Sequence, residues 1–115
     1  MNAERAARLR IAEGMLHLLV EDFRCRNISL SMEEDPQGII FRFEGTAAPG
    51  SERRLPPLRQ WLALPRRREM EASYGVLSGG EGAPDMALLG MMVDDARVEY
   101  AAENNRLLVE LRRLI

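Results

Sequence analysis

The N-terminal segment repeats apolar residues at the spacing of an α-helix. From Ala3 to about Arg24 they recur every three or four positions, with charged or small residues opposite. The apolar positions are Leu9, Ala12, Leu16, Leu19 and Phe23, and Ile11, Met15 and Leu18 widen their face. So wide a face predicts a helix that packs against a sheet, or against a sheet and a second subunit.

After Asn27 the hydrophobic period changes to two, which is typical of strands with one buried face. Apolar residues alternate with polar ones on both sides of the turn sequence at residues 35–38, Asp-Pro-Gln-Gly. A type I turn there sets Met32 opposite Phe41 and Leu30 opposite Phe43. We therefore predict a β-hairpin in which both of these pairs face the core.

Proline and glycine divide the middle of the chain. Residues 46–57, which contain Pro49-Gly50-Ser51 and Pro56-Pro57, are predicted to form a loop. A short helix should follow and stop at Pro65, because a proline ring disfavours helical geometry in the residue before it. Its apolar residues are Leu58, Trp61, Leu62 and Leu64.

A further helix is predicted to begin at Pro65 and to end at the sequence Ser78-Gly79-Gly80. It would carry one apolar face, made of Met70, Tyr74 and Leu77. A short helix capped by Asp85 should come next, with an apolar face made of Met86, Leu89 and Met92.

The chain ends in a second alternating segment, which predicts a second hairpin. A two-residue turn at Asn104-Asn105 would set Tyr100 opposite Val109 and Val98 opposite Leu111. The same register sets Glu99 opposite Glu110 and Arg97 opposite Arg112, and like charges directly opposite are unfavourable. A longer turn is therefore the alternative.

Together these elements predict a single α+β domain over residues 1–115. Its architecture should be a two-layer sandwich, in which an antiparallel four-stranded sheet made of two β-hairpins has helices packed on one face.

Cysteine and arginine usage indicates the setting in which the protein works. The 115 residues are 46% hydrophobic and 30% charged, with net charge −2 and one cysteine, Cys25. Because a lone cysteine cannot form an intrachain disulfide, we expect a reducing, cytoplasmic location. All sixteen basic residues are arginine, which favours the GC-rich genome of a bacterium. We expect neither a targeting segment nor a membrane span.

Candidate catalytic and metal-binding patterns are sparse, and we expect no catalytic residue, cofactor or metal. His17 lies between Glu13 and Glu21 at helical spacing, which suits a cation or a solvated helix face. Cys25, between two arginines, is an activated thiol or a part-buried small residue. The glycine-rich residues 78–82 are interpreted as a connection. The pair Asp94-Asp95 is interpreted as a turn or as the start of a strand.

The strongest local charge signal is an arginine-rich segment at residues 53–68 with no acidic residue in it. Arginine beside an aromatic ring can bind phosphates, stack on bases or contact an acidic protein. The candidate partner-binding residues are Arg53, Arg54, Arg59, Trp61, Arg66, Arg67 and Arg68. The alternative is that Trp61 belongs to the core and the arginines are solvated.

The function that best fits these patterns is a non-enzymatic protein-interaction, regulatory or adaptor module that forms a homodimer. The wide helix face, a terminal strand whose edge could pair near Leu114-Ile115, and the methionines Met86, Met91 and Met92 favour it. One alternative is a nucleic-acid-binding protein that uses residues 53–68. A second is a small-molecule-binding or enzymatic domain whose site has no recognisable motif.

Overall fold

The helices and strands were assigned in a computed structural model that describes residues 3–69, 71 and 86–115. They are α1 (Ala3–Glu21), β1 (Ile28–Asp35), β2 (Gly38–Thr46), a 3-10 helix (Ser51–Arg54), α2 (Leu55–Leu62), α3 (Met86–Gly90), β3 (Asp95–Ala101) and β4 (Arg106–Leu114). The strands form one antiparallel sheet in the order β1-β2-β4-β3, and the helices cover one of its faces. This is the predicted α+β sandwich.

The first hairpin has the predicted register. Leu30 pairs with Phe43, and Met32 pairs with Phe41. The turn is held by the Asp35 carboxylate, whose Oδ1 accepts hydrogen bonds from the amides of Gln37 at 2.8 Å and Gly38 at 2.9 Å. Phe41 and Phe43 are buried as predicted, but Leu30 and Met32 remain 37% and 43% exposed, so only half of each pair is in the core.

The second hairpin differs from the primary prediction by two residues. Tyr100 pairs with Leu107 and Val98 with Val109, so the turn is the longer alternative and spans residues 102–105. Asn105 occupies the left-handed region at φ 58°. The shift places Arg97 opposite Glu110, which removes the like-charge pairs and keeps every apolar residue on its original face.

The core lies between the helices and the two central strands. From β2 it receives Ile39, Phe41 and Phe43, and from β4 Leu107, Val109 and Leu111. Helix α1 adds a face centred on Ile11, Met15 and Leu18, which is rotated from the predicted one. Leu9, predicted to be buried, is 47% exposed, and Gly14, predicted to be outside, is buried. Ile11, Met15 and Leu18, which the sequence placed at the margin of the apolar face, therefore lie at its centre, and they share one buried core with the residues of β2 and β4.

The prolines of the middle segment begin a helix. Helix α2 starts at Leu55, so Pro56-Pro57 occupy its first turn, where a missing amide proton costs nothing. The helix then ends at Leu62, before Pro65, as predicted. In the next stretch Arg66 and Arg67 are non-helical, whereas Arg68, Glu69 and Glu71 are helical. The predictions for Met70, Tyr74, Leu77, residues 78–80 and the cap at Asp85 lie outside the described residues.

Helix α3 carries two of its predicted apolar residues, Met86 and Leu89, both buried. Met92, the third, lies two residues beyond the helix and is buried as well. Among the described residues, no helix combines the length and apolar character needed to cross a membrane.

Candidate interaction surfaces

A buried arginine lies at the end of the helix-covered sheet face. Arg113, only 3% exposed, donates from Nε and Nη2 to the two carboxylate oxygens of Glu4 at 3.0 and 2.9 Å. Nη2 also contacts Glu71 Oε1 at 2.8 Å, and Nη1 donates to the Met92 carbonyl at 2.7 Å. The guanidinium thus joins α1, β4 and two connecting segments, and its charge is compensated by two carboxylates.

Arg66 extends this ionic cluster. Its Nε contacts Glu71 Oε2 at 3.0 Å, while its Nη1 donates to Asp94 Oδ2 at 2.7 Å and to the Leu114 carbonyl at 2.6 Å. The Arg66 side chain is only 7% exposed. We therefore assign Arg66 a structural role and do not include it in a binding surface.

The cluster shifts the pKa values of its carboxyl groups. The hydrogen bond from Arg113 is the largest influence on Glu4 and lowers its pKa. Burial raises the pKa of Glu71, but hydrogen bonds from Arg113 and Arg66 outweigh burial, so that the pKa is lowered overall. Both groups therefore hold their protons less tightly in the folded state than in the unfolded state.

We expect this difference to make stability fall in acid. The contribution is fully present above the ordinary glutamate pKa of 4.5 and is lost as the pH falls through the lower folded-state values. Urea unfolding measured from neutral pH into the acid range should show the loss. The Glu4→Gln variant should show a shallower decline; an unchanged decline in this variant would exclude Glu4 as a contributor.

Sequence reasoning did not identify Arg113 or Glu4, although one signal was available. Arg113 continues the two-residue alternation of Leu107, Val109 and Leu111, which places its side chain on the buried face. An arginine in register with a buried row needs acidic partners. The sequence does not show that these partners come from residues 4 and 71.

A cleft near the end of α1 collects part of the arginine-rich segment. It has a volume of about 310 Å³. Its main lining residues are Leu18, Asp22, Phe23, Arg53, Arg54 and Trp61, and we call it the Trp61 cleft. Leu18 and Phe23 are buried, Trp61 is half-buried, and both arginines are exposed. The cleft therefore combines an apolar base with charged groups open to solvent.

The other arginines of the segment lie elsewhere. Arg59 donates from Nη2 to the Val98 carbonyl on β3 at 3.3 Å. Arg67 pairs with Glu69 at 2.9 Å, and Arg68 is exposed. The fold thus brings Arg53, Arg54 and Trp61 together at one cleft and separates them from Arg59 and Arg66.

The two edges of the sheet differ in how they are covered. Helix α2 contacts β3, and the Arg59 hydrogen bond caps a carbonyl of that strand. Strand β1 pairs only with β2 in the described part of the chain, so its outer edge is open. Sheet edges with unpaired backbone groups are sites where another chain can add a strand.

The helix-side face of β1 is also incompletely covered. Ile28, Leu30 and Met32 lie on the same face as Phe41 and Phe43, because directly paired residues point to the same side of the sheet. We call these three residues the β1 apolar strip. Leu30 and Met32 are 37% and 43% exposed, whereas Phe41 and Phe43 are fully covered. The hydrophobic layer therefore extends beyond the helices toward the open edge.

Helix α1 contacts β1 near one end of this strip. Near the helix start, Arg8 Nη1 donates to Glu34 Oε2 at 2.6 Å, and just after its end the Arg26 amide donates to the Thr46 carbonyl at 3.0 Å. The helix therefore runs antiparallel to β1.

Two observations that favoured a dimer in the sequence do not hold. The terminal strand, β4, lies between β2 and β3 and has no free edge, because both of its sides are paired. Met86 and Met92 are buried in the core at 8% and 1% exposure, and Met91 is partly buried. In the part of the chain that the structure describes, the outer strands of the sheet are β1 and β3, and α2 contacts β3.

The remaining candidate groups lie apart from these surfaces. His17, Glu13 and Glu21 are exposed, and no set of three potential metal ligands is grouped within residues 3–69, 71 and 86–115. Burial raises the pKa of the half-buried Cys25 and outweighs the opposite effect of Arg106, so the thiol is not activated. Asp94 bonds Arg66 and the Leu114 amide, and Asp95 begins β3.

Comparisons with models of protein families, with curated proteins and with solved structures find no match for this chain. Because a fold alone does not specify an activity, the surfaces described above are the basis for a functional proposal.

Proposed function

We propose that this protein is a non-enzymatic protein-interaction module of the adaptor or regulatory type, and that it works as a homodimer. The observation that carries the proposal is the open edge of β1 with its partly exposed apolar strip. An exposed apolar surface beside unpaired backbone groups is favourable for strand addition by a second chain. The proposed compartment is the cytoplasm of a bacterium, which the single cysteine and exclusive use of arginine support.

The sequence of β1 favours one pairing of two copies. In an antiparallel arrangement centred on Leu30, this residue faces Leu30 of the second copy, and Ile28 faces Met32. Arg26, two residues before β1, then lies opposite Glu34 of the second copy. The apolar and charged positions are both self-complementary in this register, as a two-fold interface requires.

Acidic residues limit the alternatives to this register. Glu33, Glu34 and Asp35 form the last part of β1. A pairing centred on Glu33 or Glu34 would bring the two acidic ends together, and like charges facing each other are unfavourable. Centring on Leu30 keeps Glu33 and Asp35 away from their counterparts and gives Glu34 a basic neighbour.

The dimer is tested by molar mass in solution. We expect light scattering after size exclusion to give twice the mass of one chain at micromolar concentration. The Leu30→Glu variant should give one chain mass, because two carboxylates would face each other at the centre of the interface. Val20→Glu is the matched control: Val20 is 52% exposed on α1, and its replacement should leave the dimer intact.

A wild-type protein that stays monomeric at these concentrations would remove the homodimer. The pairing itself is tested in a Cys25→Ser background, in which Leu30→Cys should give a disulfide-linked dimer under mild oxidation. Glu33→Cys, three positions away and on the other face, should not. Efficient linkage through position 33 but not through position 30 would contradict the Leu30-centred register.

A further inference from the structure

Two guanidinium groups beside the Trp61 cleft have no acidic partner among residues 3–69, 71 and 86–115. Neither Arg53 nor Arg54 forms an ion pair within the described part of the chain, in contrast to Arg66 and Arg67. Both are exposed at the rim of a concave surface. Their charges are therefore available to a ligand without first breaking an internal contact.

The backbone that carries these arginines is anchored to the core. Ser51, only 3% exposed, donates from Oγ to the Ala48 carbonyl at 2.5 Å, and the Ala48 amide donates to the Phe23 carbonyl at 2.8 Å. These bonds tie the 3-10 helix to the end of α1. A pre-positioned pair of charges costs less entropy to bind than a pair on a free loop.

The base of the cleft is suited to an apolar side chain. Leu18 and Phe23 are 3% and 1% exposed, and Trp61 packs against the same core while part of it remains accessible. A half-buried tryptophan beside arginines is typical of the few residues that dominate protein interfaces. With a volume of about 310 Å³, the cleft is at the small end of ligand sites and fits one or two side chains.

We propose that the Trp61 cleft binds a short acidic segment of a partner protein. One or two carboxylates of that segment would pair with Arg53 and Arg54, and a neighbouring aromatic or branched apolar side chain would pack against Trp61. This inference concerns a surface separate from the β1 edge and does not depend on the homodimer.

Charge placement favours an acidic peptide over a nucleic acid. Binding to a phosphate backbone needs several cations along a continuous track. Arg59 and Arg66 face other parts of the molecule, and Arg67 is paired. Two local cations match one or two carboxylates.

A library of random peptides displayed on phage provides the test, followed by anisotropy measurements on the selected peptides. We expect them to share acidic residues next to an aromatic or branched apolar residue. The Arg53→Glu/Arg54→Glu double variant should bind at least about tenfold more weakly, because two attractive contacts become repulsive. Arg67→Glu/Arg68→Glu changes the charge equally outside the cleft and should alter affinity by less than about twofold.

Further measurements separate the competing outcomes. Trp61→Phe, which keeps an aromatic residue in the core, should weaken peptide binding while the circular dichroism spectrum is unchanged. Selection of peptides without acidic residues, or equal binding by the Arg53→Glu/Arg54→Glu variant, would overturn the proposal. Single-stranded RNA bound through the same two arginines, with no acidic peptide selected, would overturn it in favour of a nucleic-acid site. The double variant should retain the wild-type molar mass, which distinguishes this site from the dimer.

Discussion

Replacing Arg113 with alanine is expected to lower the free energy of unfolding by about 2–3 kcal/mol, because it removes the charge-assisted hydrogen bonds of a buried guanidinium to two carboxylates. Arg113 is 3% exposed and contacts both Glu4 and Glu71, whose side chains are 36% and 15% exposed. Glu71 would retain Arg66, whereas Glu4 would retain Arg8. Chemical unfolding with circular dichroism measures the change.

The neighbouring arginine provides the control. Arg112 points to the other face of the sheet and donates to Gln37 Oε1 at 3.0 Å in an exposed position. Its replacement by alanine should change stability by about 0.5 kcal/mol or less. A loss below about 1 kcal/mol for Arg113→Ala would show that the buried cluster does not stabilise the fold as described.

A further test replaces the charged side chains of the cluster with apolar ones. The triple variant Arg113→Met with Glu4→Leu and Glu71→Leu removes Arg113 together with its two carboxylates, while Arg66 keeps Asp94. It should recover much of the stability lost in Arg113→Ala, because apolar side chains of similar volume can replace a buried ionic cluster. If the triple variant is less stable than Arg113→Ala, desolvated charge is not the cause of the loss.

The Gly90→Ala variant is expected to lose about 2–3 kcal/mol, since a side chain there has no room. A Cβ atom on Gly90 would lie 1.8 Å from the Trp61 carbonyl oxygen and 2.8 Å from its carbonyl carbon. These are backbone atoms of α2, so α2 and α3 would have to separate. Because Trp61 is the only tryptophan, its fluorescence should report the shift together with the loss of stability.

The Gly50→Ala variant is a control that tests backbone strain in the absence of steric contact. Its φ is +84°, but nothing lies within 4 Å of a Cβ built there. Gly50→Ala should therefore cost about 1 kcal/mol through conformation alone and leave the Trp61 emission unchanged. Equal losses in the two variants, with no change in Trp61 emission for Gly90→Ala, would contradict close packing of the two helices.

Local patterns predicted the strands because the pleat and the turn are encoded by neighbouring residues. Alternation over residues 28–44 and the Asp35 turn specify a hairpin whose register follows from its loop. The second hairpin was less determined, since its four-residue turn competes with a two-residue turn at Asn104-Asn105. The like-charge pairs in the sequence already favoured the correct alternative.

The candidate surfaces could be predicted only in part. The sequence shows an arginine-rich segment around Trp61, but it does not show which arginines lie on the same surface. In the structure Arg66 belongs to a buried ionic cluster, whereas Arg53 and Arg54 line the Trp61 cleft. A pairable edge was expected at the terminal strand, but β4 lies inside the sheet, and the outer strands among the described residues are β1 and β3.

The amino-acid sequence by itself determined the α+β class, the two hairpins and the apolar face each presents, because periodicity and turn chemistry act over a few neighbouring residues. Tertiary structure decided the strand order, the rotation of α1, the partners of Arg113 and the exposure of Leu30 and Met32. These features depend on which distant segments meet. Whether an apolar residue forms core or surface is set by what covers it.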